Sequence, residues 1–164
     1  MNNEDITKSP RIVKNICPTE YLIKPPKKIT NLNLLPRPSR HLVDMEAYFK
    51  IGAFHSAKSR SKRVLSVMYS RGCPEKCTFC STPQMWGNNT RWRSTEHIID
   101  ESSNEVRDFK IGEIQFDDDT ITVNKKNLLS LCAELEKLGL PWCTPNGTKV
   151  NYHFNKQEEM YKVM

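Results

Sequence analysis

The hydrophobic rhythm of the chain changes at Val64, and from there it restricts the fold to an alternating α/β arrangement. Val64–Tyr69 (VLSVMY) is a short apolar, β-branched run of the length of a buried strand. Arg71-Gly72-Cys73-Pro74 breaks it, and a long loop runs to about Arg93. Ser94 or Thr95 can cap a helix with Glu96 in its first turn, and Ile98, Ser102, Val106 and Phe109 then share one face. Gly112 marks its end. Glu113–Phe116 (EIQF) reads as a second strand, leading into Asp117-Asp118-Asp119. Asn124 can cap a second helix, on which Leu128, Leu131, Cys132, Leu135 and Leu138 recur at helical spacing until Gly139 and Pro141 stop it. Trp142–Thr144 is a short third strand, and Lys156–Met164 has the pattern of a further helix. Such alternation predicts parallel strands joined by right-handed crossovers, with active groups at the strands' carboxyl ends. The cysteine-bearing loop and the Asp run both fall there.

Upstream of Val64 the composition differs. Six of the ten prolines lie in residues 1–40, including Pro25-Pro26 and Pro36-Arg37-Pro38. Each blocks a helix and removes a backbone donor, so the stretch reads as an extended Pro-rich arm. Residues 42–54 (LVDMEAYFKIGAF) can form a short amphipathic element, and residues 56–63 (SAKSRSKR) an exposed basic loop. The organisation expected is an N-terminal arm and connector over 1–63 and a core over 64–164. Residues 1–63 carry a net charge of +8 and the remainder −2. A basic arm can meet nucleic acid, but this one lacks interleaved aromatics and reads as a solvated linker. No run of about 18 apolar residues is present to span a membrane. The polar start MNNEDITKSP lacks a secretory apolar region, so the cytoplasm is the expected compartment.

Three of the six cysteines, Cys73, Cys77 and Cys80, lie within eight residues in the spacing CxxxCxxC. In a cytosolic chain such a cluster suggests metal binding rather than disulfides. Three thiolates from one tight loop can reach three corners of an iron–sulfur cube, leaving the fourth iron open to a non-protein ligand. Zinc is the competing reading. Structural zinc takes four ligands, commonly from two separated pairs. No second pair occurs here, and His55 and His97 lie outside the loop. Cys132 falls on the apolar face of a predicted helix and reads as core, while Cys143, in the third predicted strand, could approach the site.

The motif CxxxCxxC, with Phe79 before the last cysteine, resembles the signature of the radical S-adenosylmethionine (SAM) superfamily. SRGCPEKCTFCSTPQMWG, RWRSTEHIIDE, IQFDDDTITVNKK and PWCTPNGTKV, in that order, resemble the core of the cobalamin-binding-domain type of radical SAM protein. LNLLPRPSRHLVDMEAYF resembles the connector preceding that core. The resemblance covers roughly residues 30–150.

The resemblance implies a [4Fe–4S] cluster on Cys73, Cys77 and Cys80, with SAM chelating the fourth iron. Reductive cleavage of SAM would give methionine and a 5′-deoxyadenosyl radical that abstracts hydrogen from a substrate. Phe79 would lie near the adenine. Asp118 and Asp119, aligned with the paired acids of the family, would meet the SAM amino group, with Asp117 less favoured. Asn146 would face the same site, although Pro-Asn-Gly is equally a turn signal. Single Asp residues also cap helices and decorate loops. Gly72 and Gly87 would permit tight backbone near the cluster; Arg91, Trp92 and Arg93 could close over the site, meet a carboxylate or anchor a loop on the surface, and are read as positional markers only. An electron donor such as a flavodoxin or ferredoxin is the implied protein partner. No catalytic side chain is singled out.

The full family core resembles a (β/α)6 barrel, whereas about three βα units are legible here. The fold expected is therefore a partial radical SAM (β/α) barrel, a fragment whose missing half would supply later strands and most substrate contacts. Its last strand would leave an unpaired edge. No Asp-x-His-x-x-Gly string occurs, so cobalamin is not expected on this chain. Two alternatives stand beside this reading: a tRNA methylthiotransferase-like protein, for which Cys17 alone does not supply the extra cluster domain, and a zinc-binding nucleic-acid module using the basic arm.

Overall fold

A computed structural model describes residues 14–17, 20–22, 28–52 and 54–149. The chain divides into two units at Thr30/Asn31. In the first, β1 (Lys14–Cys17) and β2 (Glu20–Leu22) pair antiparallel, with an irregularity in register between Asn15 and Cys17. These strands lie within the stretch expected to be an extended arm. They occupy proline-free runs, which keep the backbone donors a ladder needs.

The second unit is organised by β6 (Glu113–Phe116), which pairs in parallel with β3 (Val64–Val67) on one side and β7 (Trp142–Cys143) on the other. All four residues of β6 are buried, as a central strand covered on both faces requires. The register sets Leu65 beside Ile114, Val67 beside Phe116, and Ser66 beside Gln115. Because side chains alternate along a strand, the sheet has one apolar and one partly polar face. The apolar face packs into a core with Ile98, Leu128, Leu131 and Leu135, all at most 1% exposed.

Two helices supply that core. In α3 (Thr95–Phe109), the Ser94 side chain accepts from the His97 amide, and Ile98 and Ser102 are buried as their spacing predicts. The helix ends before Gly112, with Lys110 at φ 53° in the left-handed region. In α4 (Lys125–Leu138), Asn124 caps the start, and Gly139 at φ 67° directs its N–H to the carbonyls of Leu135 and Glu136. Val64–Tyr69 was expected as one strand, but β3 stops at Val67. The amides of Tyr69 and Ser70 leave the sheet to bind the Asp118 carboxylate. The third strand stops at Cys143, one residue short of the expected Thr144, before the Thr144–Gly147 turn.

The second unit begins at Asn31, upstream of the core boundary expected at Val64. Helix α1 (Met45–Ile51), capped by Asp44 onto the Ala47 amide, places Phe49 in the core. Arg40 reaches Glu101 (2.9 Å) and Glu105 (3.1 Å) on α3 and the Ser66 carbonyl (2.9 Å). The described residues thus carry a mixed α/β fold with a three-stranded parallel sheet. The barrel expectation reaches beyond them, and Lys156–Met164 lies outside them. No described helix is long and apolar enough to cross a membrane.

Candidate cofactor site at the cysteine loop

The cysteine loop is closed at its base by a two-stranded clasp. Strand β4 (Ser70–Arg71) pairs antiparallel with β5 (Arg91–Trp92), and the Arg93 amide donates to the Tyr69 carbonyl at 2.9 Å. Gly72 sits where the two sides meet, at φ 102°, and a Cβ there would lie 2.6 Å from the Asn89 carbonyl oxygen and 3.0 Å from that of Gly87. Only glycine fits both the backbone angle and the approach. Inside the loop, α2 (Thr82–Trp86) ends at Gly87, and Arg91 donates to the Trp86 carbonyl at 2.9 Å. The Arg71 guanidinium lies 4.9 Å from the Trp86 ring centroid. Trp92 packs edge-on against Tyr69, and Arg93 pairs with buried Glu101. The Arg91–Arg93 run therefore anchors the loop to Met68 and Tyr69, just past β3, and to α3.

Cys73 is buried, Cys80 partly buried and Cys77 exposed, and all three are free thiols. The Cys80 amide donates to the Cys77 carbonyl at 3.1 Å, placing these two on one turn. The Cys73 sulfur lies 3.7 Å from Thr120 Oγ1. Phe79, 91% exposed, turns to solvent. Among the described residues, no three His, Cys, Asp or Glu side chains converge into a metal-holding group in this conformation. The donor chemistry nevertheless fits an iron–sulfur cluster with one open iron: three free thiols share a single loop. Cys143 meets Glu113 Oε1 at 3.7 Å rather than this loop, and Cys132 is buried on α4, where burial pushes its thiol up to about 11.

The Asp run does more structural work than its sequence suggests. Asp118 is 2% exposed; its carboxylate accepts from the amides of Tyr69 (2.9 Å) and Ser70 and from the Ser70 hydroxyl. Burial raises its pKa to about 6, and the bonds from Ser70 and Tyr69 oppose that rise. Asp119 accepts from Thr82 Oγ1 at 2.9 Å. Asp117 keeps one buried carboxylate oxygen without a hydrogen-bond partner. Asn146 donates to the carbonyls of Asp117 (3.3 Å) and Asp118 (3.1 Å) and accepts from His55 Nε2 at 2.8 Å. Lys149 pairs with Glu75 inside the cysteine loop, so the turn after β7 is tied to that loop.

Ser70, Thr82, Thr120 and Asn89 were not singled out in the sequence, and hydroxyl or amide residues in a long loop give no periodic signal. Glu101 and Glu105 could have been found. They lie four residues apart, beside apolar positions of α3, and a carboxylate pair on a buried face calls for a cation. Burial opposes ionisation of Glu101, but the bonds from Arg93 and Arg40 prevail and hold it below the usual carboxylate range. A second polar cluster lies on the other side of the sheet. Burial opposes the charge on Glu113 there too, yet hydrogen bonds from Gln115, Ser59 and the Arg60 amide keep its pKa low.

The chain matches no family model. It is 35% identical over 133 residues to the cytidylyl-2-hydroxyethylphosphonate methyltransferase of Streptomyces wedmorensis, covering 81% of this chain and 24% of that protein. It is 34% identical over 106 residues to the hopanoid C-2 methylase of Rhodopseudomonas palustris, covering 60% of this chain and 20% of the relative. It is 33% identical over 84 residues to the anaerobic magnesium-protoporphyrin IX monomethyl ester cyclase of Rubrivivax gelatinosus, covering 50% and 15%. These matches support the radical SAM superfamily. The chain spans a quarter or less of the length of each of these three relatives.

Proposed function

We propose that this chain is the cluster- and SAM-binding part of a radical SAM enzyme. The observation that carries the reading is the trio of free thiols, Cys73, Cys77 and Cys80, on one loop beside the carboxyl end of the parallel sheet. These residues would hold a [4Fe–4S] cluster whose fourth iron is left to SAM. When bound, such a cluster supplies the electron that cleaves SAM and yields a 5′-deoxyadenosyl radical. The chain's own groups set the surroundings: β5 closes the loop, and Asn146 binds the carbonyls of Asp117 and Asp118 just past β6. Asp117, with an unsatisfied carboxylate oxygen, is the acid of the run best suited to a cationic group of the ligand. Methyl transfer is the favoured reaction class, because the S. wedmorensis relative, which covers most of this chain, bears that activity in its name. A flavodoxin- or ferredoxin-like donor would supply electrons, and further polypeptide would supply substrate contacts.

The test is anaerobic reconstitution with iron and sulfide, followed by metal analysis and EPR of the reduced protein with and without SAM. About four irons per chain, a spectrum altered by SAM, and loss of iron in Cys73→Ala, Cys77→Ala and Cys80→Ala are the expected results. Zinc in place of iron, or iron content indifferent to these substitutions, would overturn the reading.

A further inference from the structure

Three consecutive residues after β6 each grip a different part of the cysteine loop. Asp118 takes two amides and a hydroxyl from Tyr69 and Ser70, immediately before the loop. Thr120 meets the first cysteine, Cys73, at 3.7 Å. Asp119 accepts from Thr82, the first residue of α2, two positions after Cys80. The contacts span 37 to 49 positions of sequence, so they cannot be local turn chemistry. Asn146 in turn binds the carbonyls of Asp117 and Asp118, which fixes the run against the turn after β7.

From this arrangement we infer that Asp118, Asp119 and Thr120 form a clamp that positions the cysteine-bearing part of the loop, holding the residues that lead into it, its first thiol and Thr82 just past its last thiol. They are positioning residues, acting on the ligand-bearing loop rather than on a substrate. The clamp itself stands on the contacts above; its purpose, to preset three thiols for a cluster, rests on the function proposed in the preceding section. A cysteine-bearing stretch held on both sides loses less conformational freedom when its thiols are drawn together, so metal uptake is favoured. Asp118 is buried and already accepts three hydrogen bonds from its own chain, which suits it to this task and leaves it less available to a ligand.

Amide hydrogen exchange on the full chain, without cluster, tests the clamp directly. Asp118→Asn should speed exchange across residues 69–82 about tenfold, the change expected when a charge-assisted hydrogen bond holding a local segment is lost. Exchange in α4 should stay at the wild-type rate. Thr82→Val and Asp119→Ala should each loosen the same segment, the double variant should add nothing beyond either, and Thr82→Ser should restore protection. Thr120→Val should act on residues 72–80 and Thr120→Ser should not. Unchanged exchange over 69–82, or a rise shared equally with α4, would overturn the clamp; the latter would mark mere global destabilisation. Iron and sulfide per chain after reconstitution read its purpose, with less retained by Asp118→Asn and Asp119→Ala than by wild type. A wild-type chain that takes no cluster would defeat the proposed function alone, since the exchange contrast is measured without metal.

Discussion

Gly72→Ala offers the sharpest probe of how the cysteine loop is closed. At φ 102° an L-residue is strained, at a cost of about 1–3 kcal/mol. The added Cβ would also sit 2.6 Å and 3.0 Å from two backbone carbonyl oxygens, of Asn89 and Gly87, on the returning side of the loop. Neither can swing away as a side-chain tip would. Forcing them apart costs about another 1–3 kcal/mol. The sum, about 4 kcal/mol, should lower the urea midpoint by about 2 M at a slope of about 2 kcal/mol/M. Gly139→Ala is the control: its φ is 67°, but nothing lies within 4 Å of the added Cβ, so only the left-handed penalty of about 1–2 kcal/mol remains. Urea unfolding followed by tryptophan fluorescence measures both. If the two variants agree within about 0.5 kcal/mol, the close approach at Gly72 does not exist in solution, and the loop is closed some other way.

Arg40→Met should cost about 2–3 kcal/mol, because it strips a partner from buried Glu101 and Glu105 while Arg93 still serves Glu101. Arg37→Met, which breaks a solvent-exposed pair with Asp100, should cost under about 0.5 kcal/mol; equal losses in denaturant melts would count against the buried network. Asp118 titrates at about 6 in the folded chain against its ordinary 3.8, so the folded state binds the extra proton between those values. That contribution to stability is fully present below 3.8 and is lost as pH rises through about 6, a change of about 3 kcal/mol. Asp118→Asn should therefore be more damaging relative to wild type at pH 4 than at pH 7, and a pH-independent difference between their denaturant melts would refute the assignment. Cys132, buried on α4 with its thiol pushed up to about 11, should resist alkylation in the native chain while exposed Cys77 reacts; comparable labelling of both by peptide mapping would contradict the packing of α4.

Much of the scaffold was legible because its signals are local. The period of Leu128, Leu131, Cys132 and Leu135 encodes one buried helical stripe, and Asn124 and Gly139 bound it through capping geometry that needs only a few neighbouring residues. Ser94 and the Ile98–Ser102 face define α3 in the same way. Glu113–Phe116 was readable as a strand. That its polar residues Glu113 and Gln115 would both be buried was not, because their partners Ser56, Ser59 and Arg60 come from a basic stretch that looked merely solvated. Phe49 and Arg40 carry the same lesson. A composition rich in proline and charge describes the connector's backbone, while its attachment to the core is decided by single side chains.

The cysteine spacing alone named the donor chemistry, since three thiols within eight residues of one loop can be drawn onto a single metal group. Sequence also fixed the placement of the Asp run after a strand. Which carboxylate of that run is free was decided only by tertiary structure. Asp117, Asp118 and Asp119 are chemically identical, and they differ in what surrounds them. Asp118 is enclosed by Tyr69 and Ser70, Asp119 meets Thr82, and Asp117 keeps an unsatisfied oxygen. Those partners lie 37 to 49 residues away in the chain and come within hydrogen-bonding distance only because β3 and β6 pair side by side in one register.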